Sequence, residues 1–250
     1  MMNRTKYLIG NWKMHKNFSE AETWIETVEI PSSIEIMIAP SFLYLYSLVR
    51  LTRPSNLHIA AQNMHYEDEG AFTGEVSPRM LLDVGCHNVI LGHSERRHTF
   101  GESDQLINKK ICSAAESELF VTLCVGEPEL VHNNGKDKAM EYVEKQLRAS
   151  LQGLTSALRI TIAYEPVWAV GSGTTPNIDY IADMHRLIRR VVSSIFNDNS
   201  GESISILYGG SVNSVNAQNL FADSEIDGFI VGGASLDAME FNKILEVMEE

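Results

Sequence analysis

The chain has 250 residues, of which 44% are hydrophobic and 21% charged, and its formal net charge is −13. This composition is typical of a globular protein, and the acidic balance argues against nucleic acid and anionic membranes, which require clustered lysine and arginine. We find no apolar run near the roughly 18 residues of a membrane span, and we expect no signal peptide. Cys86, Cys112 and Cys124 are widely spaced, which predicts free thiols and a cytoplasmic location.

Short apolar runs alternate with longer amphipathic stretches along the chain. The apolar runs predict eight strands, over 6–10, 35–39, 57–61, 88–91, 120–125, 159–164, 205–208 and 227–231. The amphipathic stretches predict helices over 18–28, 41–51, 78–84, 103–117, 136–153, 178–196, 214–221 and 235–248. Because the strands are apolar on both faces, they are typical of a parallel sheet covered by helices.

This eightfold alternation predicts a closed parallel (β/α)8 barrel, with residues 1–250 forming a single domain. A barrel also leaves no unpaired sheet edge. The alternative is a doubly wound open sheet. The dinucleotide fingerprint that often accompanies that fold, G-x-G-x-x-G after the first strand, is absent from the sequence.

Barrel enzymes place their active sites at the carboxyl ends of the strands. In this chain polar, charged and glycine residues follow most of the predicted strands. Those with candidate roles are Asn11, Lys13, His93, Ser94, Glu95, Glu165, Ser211, Gly232 and Gly233. The sequence therefore predicts an active site at this end of the barrel.

Two glycine pairs, Gly209-Gly210 and Gly232-Gly233, follow the last two strands and precede helices. Glycine allows close approach of the backbone to a ligand, and helix starts present N–H groups to anions. We interpret Ser211, Gly232 and Gly233 as phosphate-binding, with Gly171 as a further N–H donor. The alternative is that the glycines only form tight turns.

Glu165 ends the sixth strand and is followed by Pro166, two glycines and Pro176. Desolvation favours proton uptake by a carboxylate, so Glu165 is a candidate base. Residues 166–176 are typical of a lid that closes over a substrate. The alternative for Glu165 is a salt bridge at the strand end.

His93 stands at a strand end where a helix begins, and this position favours a neutral imidazole that donates a hydrogen bond to a carbonyl oxygen. The alternative is a structural or surface histidine. Lys13 can neutralise a phosphate or an oxyanion, although an exposed lysine is the alternative.

The other seven histidines, including His132 and His185, have no comparable setting. No metal-binding or nicotinamide motif occurs. The reaction class predicted is proton transfer next to a carbonyl on a small phosphorylated substrate.

The strand-end motifs resemble the triosephosphate isomerase family over essentially the whole chain. They occur in the family's order: Gly10-Asn-Trp-Lys-Met14, Ala61-Gln-Asn-Met64, Gly70-Ala-Phe-Thr-Gly-Glu75, Val89-Ile-Leu-Gly-His-Ser-Glu-Arg-Arg97, Cys124-Val-Gly-Glu127, Ala163-Tyr-Glu-Pro-Val-Trp-Ala169, Tyr208-Gly-Gly-Ser211 and Asp227-Gly-Phe-Ile-Val-Gly-Gly-Ala234. The resemblance implies a TIM barrel that interconverts dihydroxyacetone phosphate and D-glyceraldehyde 3-phosphate, a step of glycolysis and gluconeogenesis, without a cofactor or metal.

The resemblance also implies residue roles. Glu165 would move the carbon-bound proton, His93 would polarise the carbonyl, and Lys13 with Asn11 would stabilise negative charge. Gly171, Ser211, Gly232 and Gly233 would hold the phosphate, and Ser94 and Glu95 would lie near the site in supporting positions. The family is usually dimeric, with Thr73 in the 62–77 connection approaching Asn11 and Lys13 of the partner.

Three stretches depart from the family's common pattern, namely Thr174-Thr175-Pro176, Glu127-Pro-Glu-Leu-Val-His-Asn-Asn-Gly135 and His15-Lys16. Two other functions stay open. A different phosphosugar barrel enzyme would keep the glycine turns but not the combination of Lys13, His93 and Glu165. A non-enzymatic scaffold or adhesion protein would not need that combination at all.

Overall fold

Eight parallel strands close into a barrel, in which they follow one another in chain order. The computed structural model describes residues 4–157, 159–171, 173, 175–196 and 199–249. Each strand pairs with its sequence neighbours, and the first pairs with the last. The strands are β1 Tyr7–Asn11, β2 Glu35–Ala39, β3 Leu57–Ala61, β4 Asn88–Leu91, β5 Phe120–Val125, β6 Ile160–Tyr164, β7 Ile206–Tyr208 and β8 Gly228–Val231. The predicted closed barrel is confirmed, and the doubly wound alternative is wrong.

Helices follow the strands on the outside of the barrel. They are α1 Phe18–Thr27, α2 Leu45–Thr52, α3 Pro78–Asp83, α4 Ser94–His98, α5 Asp104–Glu116, α6 Glu129–His132, α7 Lys136–Ser150, α8 Ile178–Phe196, α9 Ser200–Ser203, α10 Ala217–Phe221 and α11 Ala238–Glu249. Short 3-10 turns cover Phe42–Tyr44, Val167–Ala169 and Gly233–Leu236. No helix in the described part of the chain is long and apolar enough to cross a membrane.

Local side-chain hydrogen bonds set where several helices begin. At α1, Asn17 Oδ1 accepts the Glu20 N–H at 3.0 Å while Glu20 Oε2 accepts the Asn17 N–H at 2.8 Å, which is a capping box. At α3, Ser77 caps the helix and Pro78 occupies its first turn. Gly85, with a φ of +79°, follows that helix in the left-handed region.

The core has two layers, because alternate residues of each strand face opposite sides of the barrel wall. One buried cluster fills the barrel interior and contains at least one residue from every strand. Its members are Ile9, Met37, Ala39, Ala60, Ile90, Cys124, Ala163, Leu207 and Ile230. A larger cluster packs the outward strand residues against the helices. Because the interior is filled, the open carboxyl-terminal mouth is the place where ligands can enter.

The predicted elements differ from the observed ones mainly at their ends. β1 runs one residue later than predicted, and β6, β7 and β8 each begin one residue later. The helix predicted over 41–51 begins as a 3-10 turn, and the one predicted over 214–221 begins only at Ala217. Helices α6 and α9 were not predicted, because four residues are too few to show helical periodicity.

Candidate active site

The ends of β1, β4, β6, β7 and β8 enclose a cavity of about 400 Å³ at the mouth of the barrel. Its lining includes eight of the predicted site residues: Asn11, Lys13, His93, Glu165, Gly171, Ser211, Gly232 and Gly233. A larger hollow of about 790 Å³ lies between α2 and the amino-terminal ends of β3 and β4 and contains none of these residues. The chemistry of the lining, rather than volume, therefore identifies the candidate site.

Glu165 follows β6 directly and is only 3% exposed. Its Oε2 accepts the Ser94 backbone N–H at 3.0 Å, and its Oε1 lies 3.3 Å from His93 Nε2. Two glycines make room for this residue. A Cβ on Gly209 would lie 2.7 Å from the Glu165 Cγ, and one on Gly126 would lie 1.8 Å from the Glu165 carbonyl oxygen. Sequence reasoning missed both roles, although both glycines lie within family motifs.

His93 caps α4, since its Nδ1 accepts the Glu95 backbone N–H at 3.2 Å. A ring nitrogen that accepts a hydrogen bond carries no proton, so this geometry places the ring proton on Nε2. That nitrogen faces Glu165 Oε1. His93 is 6% exposed, so little solvent competes for this contact. The arrangement can donate a proton or a hydrogen bond from Nε2 into the cavity.

Lys13 adopts a left-handed backbone conformation with a φ of +52°, which is uncommon for a residue other than glycine. Its N–H donates to Asn11 Oδ1 at 3.1 Å. Gln62 Nε2 donates to the Lys13 carbonyl at 2.7 Å and to the Ala39 carbonyl at 2.8 Å. Gln62 directly follows β3, which is the signal that could have revealed it. These bonds fix a strained residue, a feature common at functional sites.

The Lys13 ammonium Nζ lies 2.8 Å from Glu95 Oε1. Burial acts to raise the pKa of Glu95, but the hydrogen bond and charge of Lys13 outweigh it and hold that pKa below its usual value. The carboxylate of Glu95 therefore stays ionised beside Lys13. The Lys13 ammonium is also close to the glycine turn after β8, because a Cβ on Gly232 would lie 3.5 Å from the Lys13 Cε.

The glycine turns after β7 and β8, together with Ser211, form a further part of the cavity wall. Ser211 Oγ donates to the Ala169 carbonyl at 2.9 Å and accepts the Gly173 N–H at 3.2 Å. Gly171 has a φ of +68°, which favours glycine. Two residues of the predicted lid, Ser172 and Thr174, lie outside the described residues. The described part of segment 166–176 thus contacts the loop after β7 at Ser211.

A fully buried carboxylate, Glu127, anchors the first turn of segment 166–176. Its Oε1 accepts the Trp168 indole N–H at 2.8 Å and the Tyr180 hydroxyl at 2.9 Å, and Tyr164 donates at 3.1 Å. Its carbonyl accepts the Val167 N–H at 3.1 Å. Burial, followed by the charge of Glu127, raises the pKa of Tyr164 and of Tyr180 above their usual value. The sequence places Glu127 at the end of a family motif but does not reveal this role.

Thr73 is exposed on the connection between β3 and α3 and does not line the cavity. Its predicted role depends on a second subunit. Among the described residues, no group of three or more His, Cys, Asp or Glu side chains is placed to hold a metal ion.

The fold and the residues at its mouth define the class of the protein, a (β/α)8-barrel enzyme. The family model described as triosephosphate isomerase matches residues 6–248. The chain belongs to the triosephosphate isomerase family, and it is therefore an isomerase.

Several relatives are named triosephosphate isomerase, and their similarity to this chain extends over almost their whole length. The triosephosphate isomerase of Aquifex aeolicus is 44% identical over 245 residues, which cover 96% of this chain and 98% of the relative. The triosephosphate isomerase of Geobacter metallireducens is 43% identical, with 97% of this chain and 98% of the relative covered. That of Geotalea uraniireducens is 41% identical, with 98% and 100% covered.

Proposed function

We infer that this chain interconverts dihydroxyacetone phosphate and D-glyceraldehyde 3-phosphate through an enediolate, with Glu165 as the base. Membership of the triosephosphate isomerase family supports the reaction. One observation supports the assignment of the base most strongly. Glu165 is buried at the mouth of the barrel, with Oε1 3.3 Å from His93 Nε2, in a cavity that Lys13 also lines.

Glu165 takes the proton from the carbon next to the carbonyl group. The electrons of that C–H bond form the double bond of the enediolate, and the former carbonyl oxygen becomes negatively charged. The protonated Glu165 then returns the proton to the neighbouring carbon. In this structure Oε2 accepts the Ser94 N–H, so Ser94 orients the carboxylate of the base.

His93 donates from Nε2 to the carbonyl oxygen and moves protons between the two oxygens of the enediolate. The Glu95 N–H bond to Nδ1 holds the ring in the required tautomer. Lys13, together with Asn11, stabilises the negative charge that develops on oxygen. A preorganised donor of this kind contributes on the order of 10²–10³ in rate. Glu95 supports Lys13 through the contact at 2.8 Å.

The phosphate group binds where segment 166–176 meets the loops after β7 and β8, at Gly171, Ser211, Gly232 and Gly233. Segment 166–176 acts as a lid that excludes water and protects the enediolate from loss of phosphate. Its contacts with Ser211 support this role, since they connect the lid to the phosphate side.

We further propose that the chain forms one domain over residues 1–250, acts in the cytoplasm and assembles as a homodimer. In the dimer, Thr73 of one subunit approaches the partner subunit's Asn11 and Lys13. Exposed apolar side chains next to these positions support an interface, because Phe72 is 41% exposed and Met14 95% exposed. Sedimentation tests it: a dimer is expected at micromolar concentration, and a monomer would contradict the proposal.

A coupled assay with D-glyceraldehyde 3-phosphate, in the presence of a chelator, tests the proposed reaction. We expect rapid formation of dihydroxyacetone phosphate without any added cofactor. Glu165→Gln removes the basic oxygen with almost no change of shape, so its activity should fall to near the background rate. A wild-type protein that is folded but inactive would overturn the proposed function.

A further inference from the structure

His132, the last residue of α6, lies against the first turn of segment 166–176. Its ring stacks on the Trp168 indole, with the ring centroids 3.9 Å apart and an angle of 22° between the planes. The side chain is 30% exposed, so the ring can exchange protons with solvent. A histidine changes its charge between about pH 5 and 8, which makes this contact sensitive to pH.

The hydrogen bonds around His132 have a fixed direction. The Tyr180 hydroxyl has one proton, and it donates that proton to Glu127 Oε1 at 2.9 Å. The contact of 3.3 Å between His132 Nδ1 and the Tyr180 oxygen is therefore an Nδ1–H donating to the hydroxyl. His132 Nδ1 is also 3.8 Å from Glu127 Oε1. The imidazole thus belongs to the same network as the buried carboxylate.

The Glu127 carboxylate accepts its hydrogen bonds from neutral donors, namely two tyrosines and one tryptophan. No lysine or arginine in the described part of the chain forms an ion pair with it. A buried carboxylate without a cation is costly, so a positive charge at His132 stabilises this cluster. A charged imidazole is also attracted to the face of the Trp168 indole.

Other charged or titratable groups around His132 do not supply this change of charge. Tyr164 and Tyr180 have raised pKa values and stay neutral at physiological pH. Lys136, at the start of α7, lies 6.0 Å from the centre of the Tyr180 ring, but it is paired with Asp183 of α8. Histidine is therefore the residue type in this cluster that responds to pH near neutrality.

We propose that His132 is a positioning residue. Its protonated form stabilises the hydrogen bond from the Trp168 indole to Glu127 and thereby fixes the position of the first turn of segment 166–176. The turn it holds begins two residues after Glu165. The same turn reaches the phosphate side, because the Ala169 carbonyl accepts from Ser211 Oγ. The consequence for ligand binding depends on the proposed function, whereas the effect on Trp168 does not.

Tryptophan emission tests the effect on Trp168 directly. Trp168→Phe provides the background from Trp12 and Trp24. We expect the Trp168 emission to change between pH 8 and pH 5.5 in the wild type, because a charged imidazole quenches and orders a stacked indole. His132→Gln should abolish the titration, and His132→Arg should hold the turn at all pH values. His58→Gln is the matched control, since it removes another histidine–glutamate contact, of 3.1 Å, away from the barrel mouth.

Binding of 2-phosphoglycolate tests the consequence for the ligand. The ratio of the dissociation constant of His132→Gln to that of the wild type cancels the ligand's own titration. We expect a ratio near one at pH 8 and about two to five at pH 5.5, the size of a cation–π contact. A ratio that is the same at both pH values, or a Trp168 titration that persists in His132→Gln, overturns the role of His132. Loss of all isomerase activity in the wild type would instead overturn the proposed function.

Discussion

Substitution of Gly209 by alanine places a methyl group between the proposed base and the barrel core. The new Cβ would lie 2.7 Å from the Glu165 Cγ and 2.7 Å from the Ile230 Cγ2. Both distances are about 0.8 Å shorter than carbon atoms normally allow. Ile230 is 3% exposed and belongs to the packed barrel interior, so it has little room to move. Glu165 must therefore be displaced, although it is far from the substitution in sequence.

The size of the effect follows from that displacement. A misplacement of about 1 Å at a reacting group costs on the order of 10²-fold in rate, so Gly209→Ala should lower kcat by about 10- to 100-fold. Overpacking should cost about 1–3 kcal/mol of unfolding free energy. The assay is kcat in the coupled reaction, corrected for the folded fraction by circular dichroism.

Gly201→Ala is the matched control, because its Cβ would lie 1.9 Å from the Arg189 carbonyl oxygen, before β7 and away from the mouth. We expect it to lower stability and to leave the kcat of the folded enzyme unchanged. If Gly209→Ala retained the wild-type kcat, the packing of Glu165 against this turn would not control its position, and the reasoning would be refuted.

Three further substitutions test the roles proposed for His93 and Lys13 and the effect of burying His185. His93→Ala removes the proposed Nε2 donor, so kcat should fall by about 10²–10³; a folded variant with the wild-type kcat would exclude His93 from the chemistry. Lys13→Met removes the ammonium, and kcat/KM should fall by a similar factor, whereas an unchanged value would assign Lys13 to the surface. Burial lowers the pKa of His185 to about 3, so the unfolded state binds more protons between about pH 6.5 and pH 3, and stability falls as pH falls through that range. Urea unfolding should show a loss of up to about 1.4 kcal/mol per pH unit relative to His185→Gln, and equal slopes in the two proteins would contradict this.

The barrel and most of its site could be predicted from the sequence because both depend on local patterns. β2, β3, β4 and β5 have the predicted bounds, since each is a short apolar run between clear breaks. Residues that follow such strands must gather at one end of a closed barrel. For this reason Glu165 and His93, 72 positions apart in the chain, could be expected to lie near one another.

Contacts between distant segments could not be predicted in the same way. Gly209 leaves space for Glu165, and Gln62 holds the backbone of Lys13, but neither contact has a local pattern. The Glu127 cluster joins the ends of β5 and β6 with α8. His132 belongs to a helix of only four residues, and its contact with Trp168 depends on the folded barrel, which brings the two segments together. The sequence around His132 therefore does not predict this contact.

The kcat of Glu165→Asp measures the role of the base most directly. Removal of one methylene retracts the carboxylate by about 1.5 Å while its charge and acidity stay similar. A base that must reach a carbon-bound proton should then lose at least about 10²-fold in kcat, or about 2.7 kcal/mol, with little loss of folding. A folded Glu165→Asp enzyme that turned over at the wild-type rate would show that Glu165 is not the base.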